Sequence, residues 1–383
     1  MRKKILSVFF SFFVFISFAD IFVVEKYNFA LDFPEGFALI ENIHDDSFMF
    51  SHTQLPVDVI FRFFPKERFS SCKESLLSAY SLLGGKGECE EFSWHGTTAA
   101  LGNFSMSNGQ TDFGGWALAI DLAKYDTYAL VFSYTTFDKQ ELLAQFLVSI
   151  IDSVSIDRAG FTSCGPLSVF AFPLEEEQEI CLSVNKQSIR TFINKSDVEA
   201  SKYLIDREYA ILSLYGQSEF WQEAWKRYYR LIYRDSFSRL QKVADSFYEV
   251  LWPLAMEYNF ENPDLAYGQL ILTWLQSFSY KRDFSQSDFT PLPAILLGEG
   301  SDCDSRAMLG AILLSHLNYH TNVFISPEFK HALLGFEVMG NGAHLEEGGI
   351  QYLLGETTAK VDFGLIAQDM AIKEKWFGVL LPW

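Results

Sequence analysis

One cysteine of this chain lies where its thiol could act as a nucleophile. Cys303 stands in the segment Gly300-Ser301-Asp302-Cys303-Asp304-Ser305-Arg306-Ala307, directly before an apolar pattern with helical spacing over 308–317. The first turn of a helix stabilises a thiolate because it presents unpaired N–H groups and the positive end of the helix dipole. The sequence therefore predicts a helix that begins at Cys303 and a Cys303 thiol whose pKa is lowered.

Two further residues could complete such a site. His331 begins a run of alternating apolar residues, and Glu356 ends a second strand-like run that starts at Gln351. A cysteine nucleophile needs a general base within hydrogen-bond reach and a carboxylate or amide that orients the base. The start of a helix could bring Cys303 close to His331, at the beginning of one strand, and to Glu356, at the end of another.

Two other side chains are alternatives at this site. Asp362 lies six residues after Glu356 and could replace it as the orienting carboxylate. Gln276, in a helical pattern, could donate a hydrogen bond to an oxyanion, as side-chain amides do in related sites. A solvent-facing position on its helix is the other interpretation of Gln276.

These residues resemble a known family, the transglutaminase-like branch of the papain-type cysteine fold. Its pattern is Gly-(Asp)-Cys-x-(Asp/Ser)-(Lys/Arg)-(Ala/Ser), then His-Ala, then an acidic residue, and Cys303, His331-Ala332 and Glu356 match it in order. The resemblance covers roughly residues 260–370. It implies that Cys303 is the nucleophile, His331 the general base and acid, and Glu356 the group that orients the imidazole.

The same resemblance implies a function. We expect an exported cysteine peptidase or transglutaminase-type enzyme that hydrolyses or transfers an acyl group at an amide bond through a Cys303 thioester. Its substrate would be a protein or peptide, such as a cell-wall peptide, and the pattern calls for no cofactor and no metal. The alternative is a catalytically inactive transglutaminase-like scaffold that acts as an extracytoplasmic binding protein.

The N-terminus and the charge indicate where the protein works. Residues 1–19 are typical of a secretory signal peptide, since the basic start Met1-Arg2-Lys3-Lys4 is followed by the short apolar run Ile5–Phe18 and by Ala19. An uncleaved anchor is the alternative. No later segment has the apolar length of a membrane helix. Removal of the three basic residues takes the formal charge from −19 to −22, which disfavours nucleic acid as a partner. We expect a periplasmic or extracellular protein.

The cysteine count suggests a disulfide pattern. Five cysteines in an oxidising compartment would most simply form two bridges and leave one free thiol. Cys72 and Cys89 are 17 residues apart, as are Cys164 and Cys181, which suggests two local bridges and a free Cys303. Five reduced thiols are the alternative.

The remaining pattern predicts an α+β protein in three parts after the signal peptide. Residues 20–158 contain strand candidates at 47–51, 57–64, 97–106, 114–121 and 127–134 with helical patterns at 68–83 and 138–153, which together indicate an antiparallel-sheet α/β sandwich. Residues 159–240 contain short strands, such as 167–172 and 179–184, and then a helical connecting region. For residues 241–383 the resemblance implies a transglutaminase-like α+β domain.

The first part, residues 20–158, resembles a known fold, and the second, residues 159–240, contains a cluster of basic residues. The opening Phe-x-x-Asp-Phe-Pro-x-Gly-Phe at 29–37 and the closing helix before Asp152 resemble the PsbP-like fold of small extracytoplasmic modules. A cluster of basic residues, Lys226, Arg227, Arg230 and Arg234, stands out in this acidic chain. These cations could line an anion-binding groove, and pairing with carboxylates of the neighbouring domain is the favoured interpretation.

Overall fold

The computed structural model describes residues 21–174, 176–259, 261–282 and 287–381. The predicted signal peptide, residues 1–19, lies outside the described residues. Within the described ranges, none of the helices combines the length and the apolar character that crossing a membrane requires. The mixture of helices and antiparallel sheets confirms the predicted α+β class.

A seven-stranded antiparallel sheet dominates the N-terminal part. The strands of this part are β1 Phe22–Val24, β2 Phe29–Leu31, β3 Phe37–Ile43, β4 Ser47–His52, β5 Val57–Pro65, β6 Lys86–Trp94, β7 Thr97–Ser107, β8 Asp112–Leu122, β9 Thr127–Thr136 and β10 Val154–Ser155. The large sheet has the order β3-β4-β5-β9-β8-β7-β6, and β1, β2 and β10 form a small separate sheet. The helices are α1 Cys72–Leu82, α2 Ala144–Asp152 and α3 Pro166–Ala171.

The central strand β9 shows how the sheet is covered on both faces. Its even-numbered residues from Tyr128 to Tyr134 pack with Leu76 and Tyr80 of α1, and its odd-numbered Ala129 and Val131 belong to the core that contains α2. Successive residues of a strand point to opposite faces, so β9 is continuously apolar from Tyr128 to Phe132 because both faces are buried. The sheet is therefore sandwiched between α1 and α2, as predicted for this part.

Two elements differ from the sequence-based expectation. β6 was not predicted because this edge strand carries Glu88, Glu90 and Glu91 and lacks a clean apolar alternation. The strand predicted at 167–172 is wrong, since residues 167–171 belong to α3. Pro166 occupies the start of that helix, and the buried carboxylate of Asp152 accepts hydrogen bonds from the Leu167 and Ser168 N–H groups, both at 2.9 Å.

The middle of the chain contains one hairpin and three long helices. These elements are β11 Glu177–Val184, β12 Gln187–Asn194, α4 Asp197–Ser213, α5 Trp221–Arg239 and α6 Gln241–Tyr258. The largest cluster of buried apolar residues extends from Val24 to Leu381 and includes residues of all three parts. The sheet, the middle helices and the C-terminal elements therefore share one continuous core.

Arginines of α5 connect this middle region to the N-terminal part. Arg230 forms two hydrogen bonds of 2.9 Å to the Asp32 carboxylate, and Arg227 bonds Glu208 of α4 at 2.9 Å and the Asp32 carbonyl at 3.0 Å. Arg234 donates to backbone carbonyls, including that of Asp152. The favoured interpretation of the basic cluster, pairing with carboxylates of the N-terminal part, is therefore correct for Arg227 and Arg230. It is wrong for Arg234, whose partners are backbone carbonyls. The N–H groups of these arginines are used inside the protein and line no anion-binding groove.

The C-terminal part places a helix against a five-stranded sheet. Its elements are α7 Pro263–Leu275, α8 Leu292–Leu296, α9 Cys303–Ser315, β13 Thr321–Ser326, β14 His331–Phe336, β15 His344–Glu347, β16 Ile350–Gly355 and β17 Phe377–Leu380. The sheet is antiparallel with the order β15-β16-β14-β13-β17. A Cβ atom at Gly310 of α9 would lie 2.8 Å from a methyl group of Leu334 on β14. Glycine at this position allows α9 to approach β14 closely.

The predicted disulfides are not formed. All five cysteines are free, and four of them are buried, whereas Cys181 is exposed on β11. Cys164 is enclosed with the Asp235 carbonyl at 3.4 Å and the Ser238 hydroxyl at 3.2 Å, while Cys181 contacts the Ser188 hydroxyl at 3.1 Å. The equal sequence separations therefore did not indicate pairing, and the alternative of reduced thiols describes the structure.

A buried glutamate near Arg230 makes stability depend on pH. Burial, followed by the negative charge of Asp32, raises the pKa of Glu35 from 4.5 to about 7, against the opposing effect of Arg230 and Arg227. Because the folded-state pKa is raised, the protonated form stabilises the fold below about pH 4.5, and this contribution is lost as the pH rises through 7.

We expect Glu35→Gln to remove this pH dependence. The variant should unfold at a higher denaturant concentration than the wild type above pH 7, with a gain in unfolding free energy of up to about 3 kcal/mol, and should resemble it near pH 4. Denaturant titrations between pH 4 and 8 measure the effect. Glu41→Gln, at an exposed position of β3, is the control. Parallel pH profiles of the wild type and Glu35→Gln would contradict the prediction.

Candidate active site

Cys303 is the first residue of α9, as predicted. Asp302 caps this helix, since its carboxylate accepts a 2.9 Å hydrogen bond from the Ser305 N–H and a further one from the Ser305 hydroxyl. The side chain of Cys303 is almost fully enclosed, at 1% exposure. The helix start therefore fixes the thiol in a packed environment and not on an open surface.

The sulfur of Cys303 lies at the beginning of β14. The backbone N–H of Ala332 donates a hydrogen bond to it, and the thiol itself donates to the Asp304 carboxylate at 3.2 Å. Ala332 directly follows His331, which is the first residue of β14. The predicted nucleophile and the predicted base are thus held at the first residues of two elements that pack together, α9 and β14.

Glu356 contacts the histidine. It follows Gly355, the last residue of β16, and its Oε2 lies 2.7 Å from Nε2 of His331. Its other oxygen accepts hydrogen bonds from the N–H and hydroxyl groups of Thr358 at 2.7 and 2.6 Å. Burial acts to raise the pKa of Glu356, but the hydrogen bonds from His331 and Thr358 outweigh it and hold that pKa below its usual value.

This arrangement defines the role that each nitrogen of His331 can take. An ionised carboxylate accepts hydrogen bonds only, so Nε2 carries the proton that points to Glu356. In the neutral imidazole the lone pair is then on Nδ1, the nitrogen that can accept a proton. A ring oriented in this way is what a general base next to a thiol requires.

The two alternative residues do not take part as proposed. Asp362 is exposed and lies in a surface cavity with Gln269 and Phe363, so the orienting contact belongs to Glu356. Gln276 is buried, and its amide donates to the backbone carbonyls of Glu356 and Val361, both at 2.8 Å. Both the oxyanion role and the solvent-facing position predicted for Gln276 are therefore wrong. Its amide supports the backbone that presents Glu356.

The predicted lowering of the Cys303 pKa is also wrong for this structure. Burial, together with the charges of Asp304 and Asp302, raises the pKa of the thiol far above its ordinary value, and the hydrogen bond from Ala332 opposes this only in part. A helix start favours the thiolate, but burial and the carboxylates on both sides of the cysteine outweigh that effect. Any reaction at Cys303 must therefore remove the thiol proton with a base as the substrate arrives.

Two further residues, Tyr229 and Arg306, support the site through hydrogen bonds. Tyr229 of α5 donates a 2.7 Å hydrogen bond to the Asp304 carboxylate, and Arg306 of α9 donates to the Ser301 hydroxyl at 2.9 Å. The buried guanidinium of Arg306 also donates to the carbonyl of Thr357, the residue after Glu356. Arg306 occupies the Lys/Arg position of the cysteine motif, so the motif could have indicated that it supports the site. No local pattern connects Tyr229 to the site, because it comes from a distant helix.

Comparisons with known proteins give partial likenesses of fold. No protein-family model matches the chain, and no curated protein does. Among solved structures, the Ran-binding protein Mog1p of Saccharomyces cerevisiae is 13% identical, with a TM-score of 0.29 over 36% of this chain and 94% of that one. Cyanobacterial PsbP from Synechocystis is 10% identical, with a TM-score of 0.28 over 36% of this chain and 91% of its own. A PsbP protein is therefore among the structural neighbours.

LapG of Legionella pneumophila is a further structural neighbour. It is 12% identical to this chain, with a TM-score of 0.23 over 37% of this chain and 79% of its own. Likenesses at such low identity and TM-score concern parts of the fold and carry no functional argument.

Proposed function

We propose that this protein is an exported, transglutaminase-like cysteine enzyme that hydrolyses or transfers an acyl group at an amide bond. The observation that carries the proposal is the contact of the His331 ring with Glu356 at 2.7 Å, beside a Cys303 sulfur that accepts a hydrogen bond from the neighbouring Ala332 N–H. A thiol, an oriented imidazole and an ionised carboxylate are the groups that thioester chemistry at an amide needs.

The proposed reaction begins with proton transfer. When the substrate carbonyl arrives, the Cys303 thiol turns its proton from Asp304 to Nδ1 of His331, and the sulfur forms a bond to the carbonyl carbon. The negative charge of Glu356 stabilises the imidazolium that results. His331 then gives the proton to the leaving amine as the C–N bond breaks, which leaves the acyl group on Cys303 as a thioester.

The thioester is released in a second half-reaction. A water molecule or a second amine attacks the thioester carbon, His331 accepts a proton from the attacking group, and the thiol of Cys303 is regenerated when that proton returns to the sulfur. Water gives hydrolysis, and an amine gives transfer of the acyl group. The substrate class that fits this chemistry is a protein or peptide, and cell-wall peptide is one candidate for an exported enzyme.

A second candidate function is an inactive scaffold. The observation that favours it is the state of the thiol, which is almost fully buried and has a raised pKa. A thiol of this kind is inert unless its base acts on it. In that case the protein would bind a partner through its surface, and Cys303 would serve only as a core residue.

Digestion of a peptide library separates the two candidates. Residues 20–383 would be incubated with the library as wild type, Cys303→Ala and His331→Ala, and products would be read by mass spectrometry. Cys181→Ala, which removes an exposed free thiol, is the matched control. The enzyme proposal expects cleaved or joined peptides with the wild type and the control only. Products that persist with Cys303→Ala would refute it, and the lack of any product with the wild type would favour the scaffold.

The carboxylate of Glu356 should contribute less than the nucleophile. In Glu356→Gln an amide oxygen can still accept the hydrogen bond from Nε2, so the ring keeps its orientation, but the charge that stabilises imidazolium is lost. We expect kcat/KM to fall by about 100-fold, and by more in Glu356→Ala, which removes orientation as well. Steady-state kinetics on a library-derived substrate measure both variants. Equal activity of Glu356→Gln and the wild type would show that this carboxylate has no part in the reaction.

A further inference from the structure

A cavity of about 250 Å³ lies on the face of the C-terminal sheet that α9 does not cover. Ala332 and Leu334 of β14 face α9. Leu333 between them packs with Leu345 and Leu354 on the opposite face, because successive residues of a strand alternate. The segment between β16 and β17 crosses this second face and encloses the cavity against the sheet. The apolar residues that line it are Leu345, Leu354, Ile366, Met370, Ala371 and Trp376.

Trp376 separates this cavity from the candidate active site. Its indole N–H donates a 2.9 Å hydrogen bond to the Met370 carbonyl, which fixes the ring as one wall of the cavity. The same ring meets the imidazole of His331 edge-on, with 6.4 Å between the ring centroids and 69° between the ring planes. A group bound in the cavity would therefore lie one indole ring away from the proposed general base.

The position of the cavity indicates which part of a substrate it would hold. In the proposed reaction His331 gives its proton to the leaving amine, so the amine side of the substrate lies beside the imidazole. The acyl side is held by Cys303 at the start of α9, and none of the residues that line the cavity belongs to α9. The cavity is therefore on the side of the leaving amine.

The polar groups around the cavity are neutral or positive. They are His344, Gln351 and Lys373, and no carboxylate of the described residues lines the cavity. Lys373 forms no ion pair with any residue that the structure describes. The neighbouring carboxylates of Asp369 and Glu374 are exposed and lie outside the lining. An unpaired lysine beside an apolar cavity favours an occupant that carries a negative charge.

We propose that this cavity is a subsite for the residue that follows the scissile amide. Its occupant is an apolar side chain of about the size of leucine, next to a carboxylate that Lys373 binds. Pockets for drug-sized ligands measure about 300–1,000 Å³, so a cavity of about 250 Å³ suits a single residue. The carboxylate is either the α-carboxylate of a C-terminal residue or the side chain of an acidic residue that follows. The subsite rests on the proposed function, because its place in a substrate is defined by the scissile bond.

Saturation-transfer NMR with two small probes tests the subsite without any turnover. The probes are N-acetylleucine, which has a carboxylate, and N-acetylleucinamide, which has none. Residues 20–383 would be compared as wild type, as Ala371→Trp, which fills the cavity from its exposed rim, and as Lys373→Ala. Lys360→Ala, at an exposed lysine outside the lining, is the matched control.

We expect the wild type to bind N-acetylleucine about threefold more tightly than the amide, which is the contribution of an exposed ion pair. Ala371→Trp should weaken the binding of both probes by about tenfold or more, because the leucine side chain loses its buried surface. Lys373→Ala should remove the difference between the probes, and Lys360→Ala should keep it. The proposal would be overturned by a lack of saturation transfer to both probes in the wild type, by unchanged affinities in Ala371→Trp, or by a preference for N-acetylleucine that survives Lys373→Ala.

Turnover of matched peptides separates the two sources of the carboxylate. A substrate from the peptide library would be remade with leucine after the scissile bond, in three forms. The leucine ends in a free carboxylate, ends in an amide, or is followed by an aspartate with an amide end. Faster turnover of the first form assigns the α-carboxylate, and faster turnover of the third assigns the acidic side chain. Equal turnover of all three forms would overturn the role of Lys373.

The same proteins distinguish a failure of the subsite from a failure of the proposed function. Equal turnover of the peptides by the wild type and by Ala371→Trp would overturn the subsite and leave the enzyme proposal intact. Probe binding as expected without turnover of any peptide would overturn the enzyme proposal, and with it the role of the cavity in a reaction, while the cavity would remain a binding site.

Discussion

Cys303→Ala and His331→Ala should each abolish nearly all turnover, with a loss in kcat of about 10³-fold or more. The thioester cannot form without the sulfur, and the buried thiol, whose pKa is raised, cannot lose its proton without the imidazole. The double variant should be no worse than either single one, because the two residues act as one unit. Initial rates on a peptide from the library, measured with equal amounts of each protein, test this expectation.

Folding has to be checked in the same proteins. Cys303 lies in the core, so loss of its sulfur could weaken the fold as well as the chemistry. Cys303→Ser keeps nearly the same shape, and circular dichroism with thermal melting would show whether each variant is folded. Folded variants whose losses multiply in the double mutant would mean that the two residues act independently, which contradicts the proposed mechanism.

The largest effect on stability is expected at Arg239. This arginine of α5 donates to Asp197 of α4 at 2.8 Å and to both oxygens of Asp235 at 2.9 and 3.1 Å, and the three side chains are at most 2% exposed. Arg239→Met keeps the length of the side chain but leaves two carboxylates buried without their cation. Breaking a buried ion pair in this way typically costs about 3–5 kcal/mol of unfolding free energy. Urea titration at pH 7 measures the loss.

Lys202→Met is the matched control for that prediction. Lys202 pairs with Asp206 on the same helix, α4, but both side chains are about half exposed, at 55% and 47%. Exposed pairs on helices contribute about 0.3–0.5 kcal/mol, so this variant should unfold almost like the wild type. If Arg239→Met lost no more unfolding free energy than Lys202→Met, the buried ion pairs of Arg239 with Asp197 and Asp235 would not stabilise the contact between α4 and α5.

Local patterns were sufficient to predict the elements that carry the site. The apolar spacing after Cys303 predicted the start of α9, and the alternation after His331 predicted β14, because helix and strand periodicity is a property of neighbouring residues. Most strands of the N-terminal sheet were predicted for the same reason. The choice between Glu356 and Asp362 was left open by the sequence. The structure decides it, because Glu356 directly follows β16, which pairs with β14.

Properties that depend on three-dimensional surroundings could not be predicted in this way. The pKa of Cys303 is determined by enclosure and by carboxylate charges that act through space, and the contact of Tyr229 with Asp304 joins residues from separate helices. Gln276 is buried because the segment after β16 folds over α7, which no local pattern indicates. The disulfide prediction used sequence separation alone, although pairing requires the two sulfur atoms to meet.

Trapping the thioester tests the central claim most directly. The wild-type protein would be mixed with a cleavable peptide, quenched in acid within the first turnover and analysed by intact mass and peptide mapping. We predict that the acyl part of the peptide is attached to Cys303, that Glu356→Gln accumulates the same adduct more slowly, and that Cys303→Ala carries none. Turnover without an adduct on Cys303, or with the acyl group on another residue, would contradict the assignment of Cys303 as the nucleophile.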